Sequence, residues 1–285
     1  MSQIESGKEL AERFGLQSAS ATAPIGEYLK QVWIRRDFIR ELALARSTQQ
    51  YSDSWLGRLW QLVTPILNAG IYYLIFGVLL GTRKGIDNFT AFLIAGVFAF
   101  NFMQTAITAA ESCLAKNEKL VQAIHFPRLV LPLATTLQQV QQYFVSLCVL
   151  IVIVIATGEP ITTSWLLLPV ALFLQLLFTL GLSLMMARLG SKSRDLSQLL
   201  PFFMRTWRYI SGVFFSIIVF TTQFPNFVGR ALQLNPGAVY LDLIRDALMV
   251  SQQVDAAIWV SGVLWAVVTF VLGVVYFYRG EDQYV

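Results

Sequence analysis

Six apolar runs limit what this chain of 285 residues can become. They cover Leu59–Leu80, Thr90–Glu111, Pro132–Thr157, Trp165–Leu189, Pro201–Phe220 and Ala256–Tyr278. Each has about the 17–25 residues that cross a hydrocarbon core. A soluble fold would break such runs with polar turns every ten residues or so. The expected fold class is therefore an all-α integral membrane protein with six transmembrane helices.

Composition agrees: 56% of the residues are hydrophobic and 13% charged, which fits one polytopic domain better than two globular ones. Six helices rarely enclose a wide path alone, so a large path implies an oligomer. Cys113 and Cys148 fall in apolar segments and read as small buried hydrophobes without a disulfide. His125, the single histidine, excludes a histidine-rich metal site. No cleavable signal peptide is expected, because the first apolar run starts near Leu59.

Charge sets the orientation. An even number of spans puts both ends on one side, together with the loops Ser112–Leu131 and Gly190–Leu200. That side holds all of the 21 Lys and Arg except Arg83, Lys84, Arg230 and Arg245. The positive-inside rule makes it cytoplasmic, termini included. The net charge of +4 then needs no nucleic-acid partner.

Along the chain, residues 1–26 read as a flexible polar arm. Over 27–50, Ile34, Phe38, Leu42 and Ala45 recur at helical spacing beside Val32 and Ile39, with Arg36, Asp37, Arg40 and Glu41 opposite. This predicts one amphipathic helix lying in the cytoplasmic interface against membrane lipids, or else packed on a soluble partner. Residues 51–285 form the transmembrane domain. Ala115–His125 reads as a short helix with Leu120, Val121 and Ile124 on one side, ended by Phe126-Pro127-Arg128. Gly190–Asp195 reads as a tight polar loop. In the long external loop, Ala238–Val250 is helix-like but too short and charged to span. A re-entrant or surface-lying hairpin entered at Asn235-Pro236-Gly237 is expected there.

The search for catalysis returns absences. No G-x-x-x-x-G-K-[ST] pattern exists, and Gly190-Ser191-Lys192-Ser193 lacks its spacing, so this chain binds no ATP through a P-loop. No Cys/His cluster has metal spacing. Asp242 and Asp246 could share a helix face, as in a lipid-linked glycosyltransferase; a solvated face with Arg245 as counter-ion is the preferred reading.

Polar groups inside the spans say more, since in hydrocarbon they face protein or water. Asn101, Gln104, Thr108 and Glu111 fall three and four apart and make one wet stripe. Gln138, Gln139, Gln141 and Gln142 crowd the third span. They read either as interhelical glue or as a lining for hydroxyl-rich cargo. Arg205 and Arg208 share a face of the fifth span with Gly212 and Phe215. They either snorkel to headgroups or greet a phosphate at a pore mouth. Tyr72, Tyr73, Phe76, Phe98, Phe102, Trp207, Tyr209, Phe214 and Phe215 lie within spans, where sugar rings stack on such faces. Packed or lipid-facing rings are the simpler reading of any one. Gly77 and Gly81 mark a helix contact or a turn.

The residues also match a family. The stretch Tyr51-Ser52-Asp53-Ser54-Trp55-Leu56-Gly57-Arg58-Leu59-Trp60 with Pro65 resembles the approach to the first span in the membrane subunits of ABC-2 type polysaccharide exporters. Asn117 to His125 with Phe126-Pro127-Arg128 and Leu131-Pro132 is similar to their cytoplasmic loop. So are Arg194-Asp195 with Leu199-Leu200-Pro201, and Asn235-Pro236 with Arg245. The resemblance runs from about residue 27 to 280, departing at Asp53 and Trp55.

It implies a permease of the bacterial inner membrane, not itself an enzyme, working as a homodimer. Two copies of a nucleotide-binding subunit would carry ATP and Mg, with no cofactor in this chain. The family's interfacial helix matches 27–50 and its coupling helix about 115–127, which assigns coupling to Asn117, Glu118, Leu120, Val121, Ile124, His125, Phe126 and Arg128. The substrate path would use Arg205, Arg208, Gln138, Gln142, Asn101, Gln104, Thr108, Tyr72, Phe98, Phe102 and Phe215. The implied cargo is a polymer on a lipid diphosphate: O-antigen, teichoic acid, capsule or cell-wall galactan, with overall similarity pointing to galactan exporters of mycobacteria-like bacteria. An ABC-2 exporter of a small hydrophobic compound would need fewer polar groups in the spans. An ATP-independent glycosyltransferase or flippase would need a convincing carboxylate site.

Overall fold

The computed structural model describes residues 24–52, 55–79, 81, 86–124, 126–193, 195–217 and 226–281. The expected arm over 1–26 therefore lies almost wholly outside the described residues, as do His125 and Arg194. Every regular element among the described residues is helical. In chain order these are α1 (Ile25–Ile34), α2 (Arg36–Ser52), α3 (Trp60–Tyr72), α4 (Phe89–Glu111), α5 (Glu118–Ala123), α6 (Val130–Ala156), α7 (Leu168–Lys192), α8 (Leu196–Ile210), α9 (Asn226–Gln233), α10 (Pro236–Leu248) and α11 (Ala256–Tyr278). A wider, π-type turn over Tyr73–Leu79 extends α3. The protein is an all-α integral membrane protein.

Among the described residues five helical stretches are long and apolar enough to cross a bilayer: α3 with its extension, α4, α6, α7 with the turn before it, and α11. The expected fifth span over Pro201–Phe220 is not one continuous helix. Its helix starts earlier, at Leu196, and stops at Ile210. The chain then turns through Ser211 and Gly212, whose φ of 65° lies in the left-handed region that glycine enters without strain. The polar loop before it is correspondingly shorter, since α7 runs to Lys192.

The Tyr28 hydroxyl donates to the Glu281 carboxylate at 2.6 Å, so α1 and the end of α11 meet at one end of the bundle.

Span α4 is the axis of the fold, with 78% of its apolar window buried, against 11% for the first span. Its small residues (Ala91, Ala95, Ala99, Ala106 and Ala110), all inaccessible to solvent or nearly so, let α6 and α7 approach closely. Asn88 caps it, accepting from the Ala91 N–H at 3.1 Å, and donates to Thr157 Oγ1 at the end of α6, 3.0 Å away. In the core Gln175 of α7 donates to the Ala99 carbonyl at 2.9 Å and accepts from the Tyr143 hydroxyl at 3.2 Å. One buried amide thereby joins α4, α6 and α7. Helix α7 also packs closely against α11. A Cβ on Gly273 would stand 2.3 Å from the Gly181 carbonyl oxygen, so only glycines fit.

The expected single helix over 27–50 is two helices, broken at Arg35. The break follows Val32-Trp33-Ile34, a run of poor helix formers, and turns the two pieces to different partners. Tyr28 and Val32 of α1 bury in a cluster with Cys113, Leu114, Leu129, Leu184 and Phe277. Helix α2 lies along α6 and buries Ala43 completely. Of the expected Ile34–Phe38–Leu42–Ala45 stripe, Ile34, Phe38 and Ala45 are exposed, together with Leu29 and Trp33, whereas Leu42 packs against the cluster around Cys113. Cys148, expected to be buried, is exposed on α6, whereas Cys113 is buried.

Helix α10 resolves the hairpin. Ala238, Val239, Tyr240, Leu241, Leu243 and Ile244 are wholly buried, packed on α4, α7 and α11. It lies inside the protein and not on its surface. Asn235 caps it, taking the Gly237 N–H at 3.1 Å, with Pro236 at its first position. The same amide accepts from Trp207 Nε1 at 2.8 Å and donates to Ser211 Oγ at 3.1 Å, tying the hairpin to the end of α8.

Candidate functional site: a polar groove, a buried arginine cluster and the termini end

A groove runs between α3, α4 and α6. One cavity of about 240 Å³ has Gln61, Thr64, Asn68, Asn101, Gln139 and Ser146 among its polar walls. A second, of about 580 Å³, continues toward the termini end past Gln50, Gln104, Thr108, Glu111 and Lys116. Thr105, Gln139 and Gln142 line both. Amides and hydroxyls thus follow one another along a path inside otherwise apolar helices. Such a surface offers donors and acceptors to water or to a hydroxylated guest.

Of the residues singled out from the sequence, Asn101, Gln104, Thr108 and Gln142 line this groove. Phe98 and Phe102 border it with their edges but are 2% and 4% exposed; Phe102 stacks on Tyr143 at 4.6 Å. They are core rings first. Phe215 is partly buried and packed against the core. Gln138 and Gln142 both donate to Gln50 Oε1 of α2, at 3.2 and 2.5 Å, so they hold helices together, and Gln142 also lines the groove. Gln61, Thr64 and Asn68 escape the sequence reading, although they carry the same signal as the α4 stripe: polar residues three and four apart in an apolar span. Gln50 carries no such signal, because nothing local marks its partners.

The two arginines part company. Arg205 is exposed. Arg208 turns inward and donates to the Tyr72 hydroxyl at 2.7 Å, Asn101 Oδ1 at 2.5 Å and Gln104 Oε1 at 2.6 Å. Its guanidinium also lies 5.5 Å from the Phe100 ring centroid. Four of the residues proposed from sequence therefore meet in one cluster joining α3, α4 and α8. All of these partners are neutral and are met through the two terminal nitrogens of the guanidinium, while its Nε is buried without a hydrogen-bond partner. Beside it Phe76 stacks on Phe214 at 4.1 Å, with Tyr72 and Tyr209 against the same ring.

The solvated face expected for Asp242, Arg245 and Asp246 is overturned. Arg245 is 2% exposed. It donates to the carbonyls of Phe92, Gly212 and Val213 at 3.1–3.3 Å and to Asp242 at 3.3 Å. It is the counter-ion of Asp242, as expected, but inside the protein. Asp246 accepts from the Val254 N–H and from Trp259 Nε1, both at 3.0 Å. No charge here is left over for an acid pair.

At the termini end, Glu118–Ala123 is helical and Ile124 extended, before Pro127. Leu120, Val121 and Phe126 pack on the cluster around Cys113, whereas Ile124 is 51% exposed; Glu118 is exposed and Asn117 half-buried. Phe126 meets the Phe38 ring edge-on at 5.9 Å. The Arg128 N–H donates to Glu281 Oε1 at 2.9 Å and its side chain to the Glu281 carbonyl. Arg46 of α2 donates to Asn117 Oδ1 and Thr135 Oγ1, both at 2.8 Å. Burial holds the Arg46 guanidinium below its ordinary range and pushes the Cys113 thiol up to about 12, the two partly offsetting each other. His125 lies outside the described residues. Among the described residues no cluster of His, Cys, Asp and Glu could hold a metal ion.

Comparison with known proteins fits this geometry. The chain is 26% identical over 208 residues to the O-antigen export system permease protein RfbA of Myxococcus xanthus, covering 73% of this chain and 78% of that one. It is 26% identical over 223 residues to a protein of the same name from Klebsiella pneumoniae, covering 77% and 84%. A second such protein from Klebsiella pneumoniae is 31% identical over 150 residues, covering 52% and 57%. Residues 41–249 match the ABC-2 type transporter family, and the chain belongs to that family.

Proposed function

We propose that this chain is the permease subunit of an ATP-driven exporter that moves a lipid-diphosphate-linked polysaccharide from the cytoplasmic to the outer face of a bacterial inner membrane. The observation that carries the reading is the groove of amides and hydroxyls against the most buried span. A path for a small apolar compound gains nothing from Asn101, Gln139 and Gln142, whose burial costs free energy unless a polar guest or water meets them. The relatives' name, O-antigen export system permease, points to the same class of cargo. Galactan, teichoic acid and O-antigen share the hydroxyl chemistry that such walls recognise.

In this reading both termini are cytoplasmic, and a nucleotide-binding partner, in two copies, carries ATP and Mg and pushes on residues 115–128. Two copies of the permease complete the path, since the groove is flanked by the sparsely buried first span. The chain itself transports and catalyses no bond change.

The test is reconstitution of the permease and its ATPase partner in vesicles loaded with lipid-linked glycan. Nucleotide-dependent appearance of glycan on the far side is expected, and Asn101→Leu with Gln139→Leu should reduce it severalfold. Transfer without nucleotide or partner, or export of apolar compounds but no glycan, overturns the reading.

A further inference from the structure

Helix α2 carries two hydrogen-bonding side chains on one face, four residues and about 6 Å apart along its axis. Arg46 grips the segment 115–123 through Asn117 Oδ1 at 2.8 Å and the base of α6 through Thr135 Oγ1 at 2.8 Å. One turn later Gln50 Oε1 accepts from Gln138 and Gln142, and Gln142 is a wall of both groove cavities. On the N-terminal side of both, Ile39 and Leu42 pack on the cluster that includes Leu129 and Leu131 at the start of α6, and Ala43 is wholly buried. Asn117 is itself fixed, donating to the Cys113 carbonyl at 2.6 Å.

We infer that α2 is a rigid lever through which movement of the 115–123 segment resets the groove wall, with Asn117 and Arg46 at the driven arm, Thr135 as pivot, and Gln50 as the positioning residue that turns Gln142. The inference rests on the proposed export function for the meaning of the groove, but its geometry stands apart from the cargo. A helix cannot bend within one turn without losing its own hydrogen bonds, so displacement at Arg46 is displacement at Gln50. The connection is a continuous set of hydrogen bonds, and the two arms act on the same helix. The two ends therefore report on one mechanical element, whereas spatial nearness alone would be only an association. Among the glutamines of α6, ambiguous between glue and lining, Gln142 serves as both: glue to α2 at one atom, lining at the groove.

The experiment uses the full permease in complex with its ATPase partner in nanodiscs, in a Cys148→Ser background. The Ser146→Cys variant, substituted one turn beyond Gln142 in the groove wall, is labelled with a maleimide with and without a non-hydrolysable ATP analogue. Nucleotide is expected to change the labelling rate roughly fivefold or more. Gln50→Leu, which removes the acceptor, should abolish that response, while Gln50→Glu, which keeps an acceptor oxygen, should retain it. Asn117→Ala should weaken the response, and adding Gln50→Leu to it should weaken it no further than Gln50→Leu alone. A full response in Gln50→Leu, identical behaviour of the Leu and Glu variants, or independent, multiplying effects of Asn117→Ala and Gln50→Leu overturns the lever. A Ser146→Cys complex with Gln50 and Asn117 intact that responds to nucleotide but exports no glycan would reject the cargo reading and leave the lever standing.

Discussion

The guanidinium of Arg245 lies over the ring of Phe92, 3.4 Å from its centroid, and from there donates to the carbonyls that close the broken end of α8. One side chain therefore holds the buried helix α10, the central span and the break together. Arg245→Met would leave the Gly212 and Val213 carbonyls buried without this donor and the half-buried Asp242 carboxylate without its counter-ion. The expected loss is about 3–5 kcal/mol of stability, as for breaking a buried pair. Asp242→Asn should cost far less, because the carbonyl contacts survive. Thermal unfolding of the two variants in detergent checks the order; equal melting temperatures would mean that Arg245 is not the fastener.

Arg208 and Arg205 lie on one helix yet predict opposite behaviour. Arg208→Ala strands Asn101, Gln104 and the Tyr72 hydroxyl and should destabilise by about 1–3 kcal/mol. It should also blunt stimulation of the partner ATPase by lipid-linked glycan. Arg205→Ala, at an exposed position, should leave the melting temperature nearly unchanged. Paired melting and ATPase measurements decide; a larger melting loss for Arg205→Ala contradicts the cluster.

Gly181 and Gly273 set the spacing of α7 and α11. A methyl at 273 would sit 2.3 Å from the Gly181 carbonyl oxygen, so Gly273→Ala must push two spans apart and should cost about 1–3 kcal/mol. Gly70→Ala is the control, because nothing lies within 4 Å of its added carbon. Melting of Gly273→Ala at or above that of Gly70→Ala would remove the contact from the list of constraints.

Much of this architecture is legible in the chain. Apolar runs mark α3, α4, α6, α7 and α11 because length and composition are what lipid selects. The run Pro201–Phe220 misleads for the same reason: residues such as Val213 and Phe214 are apolar because protein covers them, and composition does not say what does the covering. The charges of α10 mislead in reverse. Asp242, Arg245 and Asp246 look like a wet face until their partners, most of them remote in sequence, come into view. Asn101, Gln104 and Thr108 are readable as a stripe from spacing alone, but their meeting with Tyr72 and Arg208 is a tertiary fact. The glutamines of α6 show that polar groups exist there, while Gln50, on another helix, decides what they bond.

Cys113 yields a pH prediction. Burial raises its thiol from 9.0 to about 12. Between those values the unfolded chain releases a proton that the folded chain keeps, so the contribution of this group falls as pH rises through the unfolded value. It falls by about 1.4 kcal/mol per pH unit. Raising pH from 9 to 10.5 should therefore destabilise the wild type more than Cys113→Ala, and a maleimide should leave Cys113 untouched at pH 8 in folded protein. Rapid labelling of Cys113, or identical pH dependence in the two proteins, argues against a buried neutral thiol.

Residues Leu120 and Ile124 face different surroundings in the segment expected to meet the ATPase. Leu120 packs on the cluster around Cys113 and Leu129, so Leu120→Glu puts a carboxylate among apolar groups and should lower stability by about 2 kcal/mol or more. Ile124 is 51% exposed, and Ile124→Glu should leave melting within about 0.5 kcal/mol of wild type. An exposed isoleucine in extended backbone offers a foot for a soluble partner, since burying it there would regain part of the apolar transfer free energy. Ile124→Glu should then weaken association with the nucleotide-binding subunit about tenfold while leaving the permease folded. Co-purification and stimulated ATPase measurements test this directly: an intact complex with normal coupling in Ile124→Glu would move the contact to another part of the 115–128 segment.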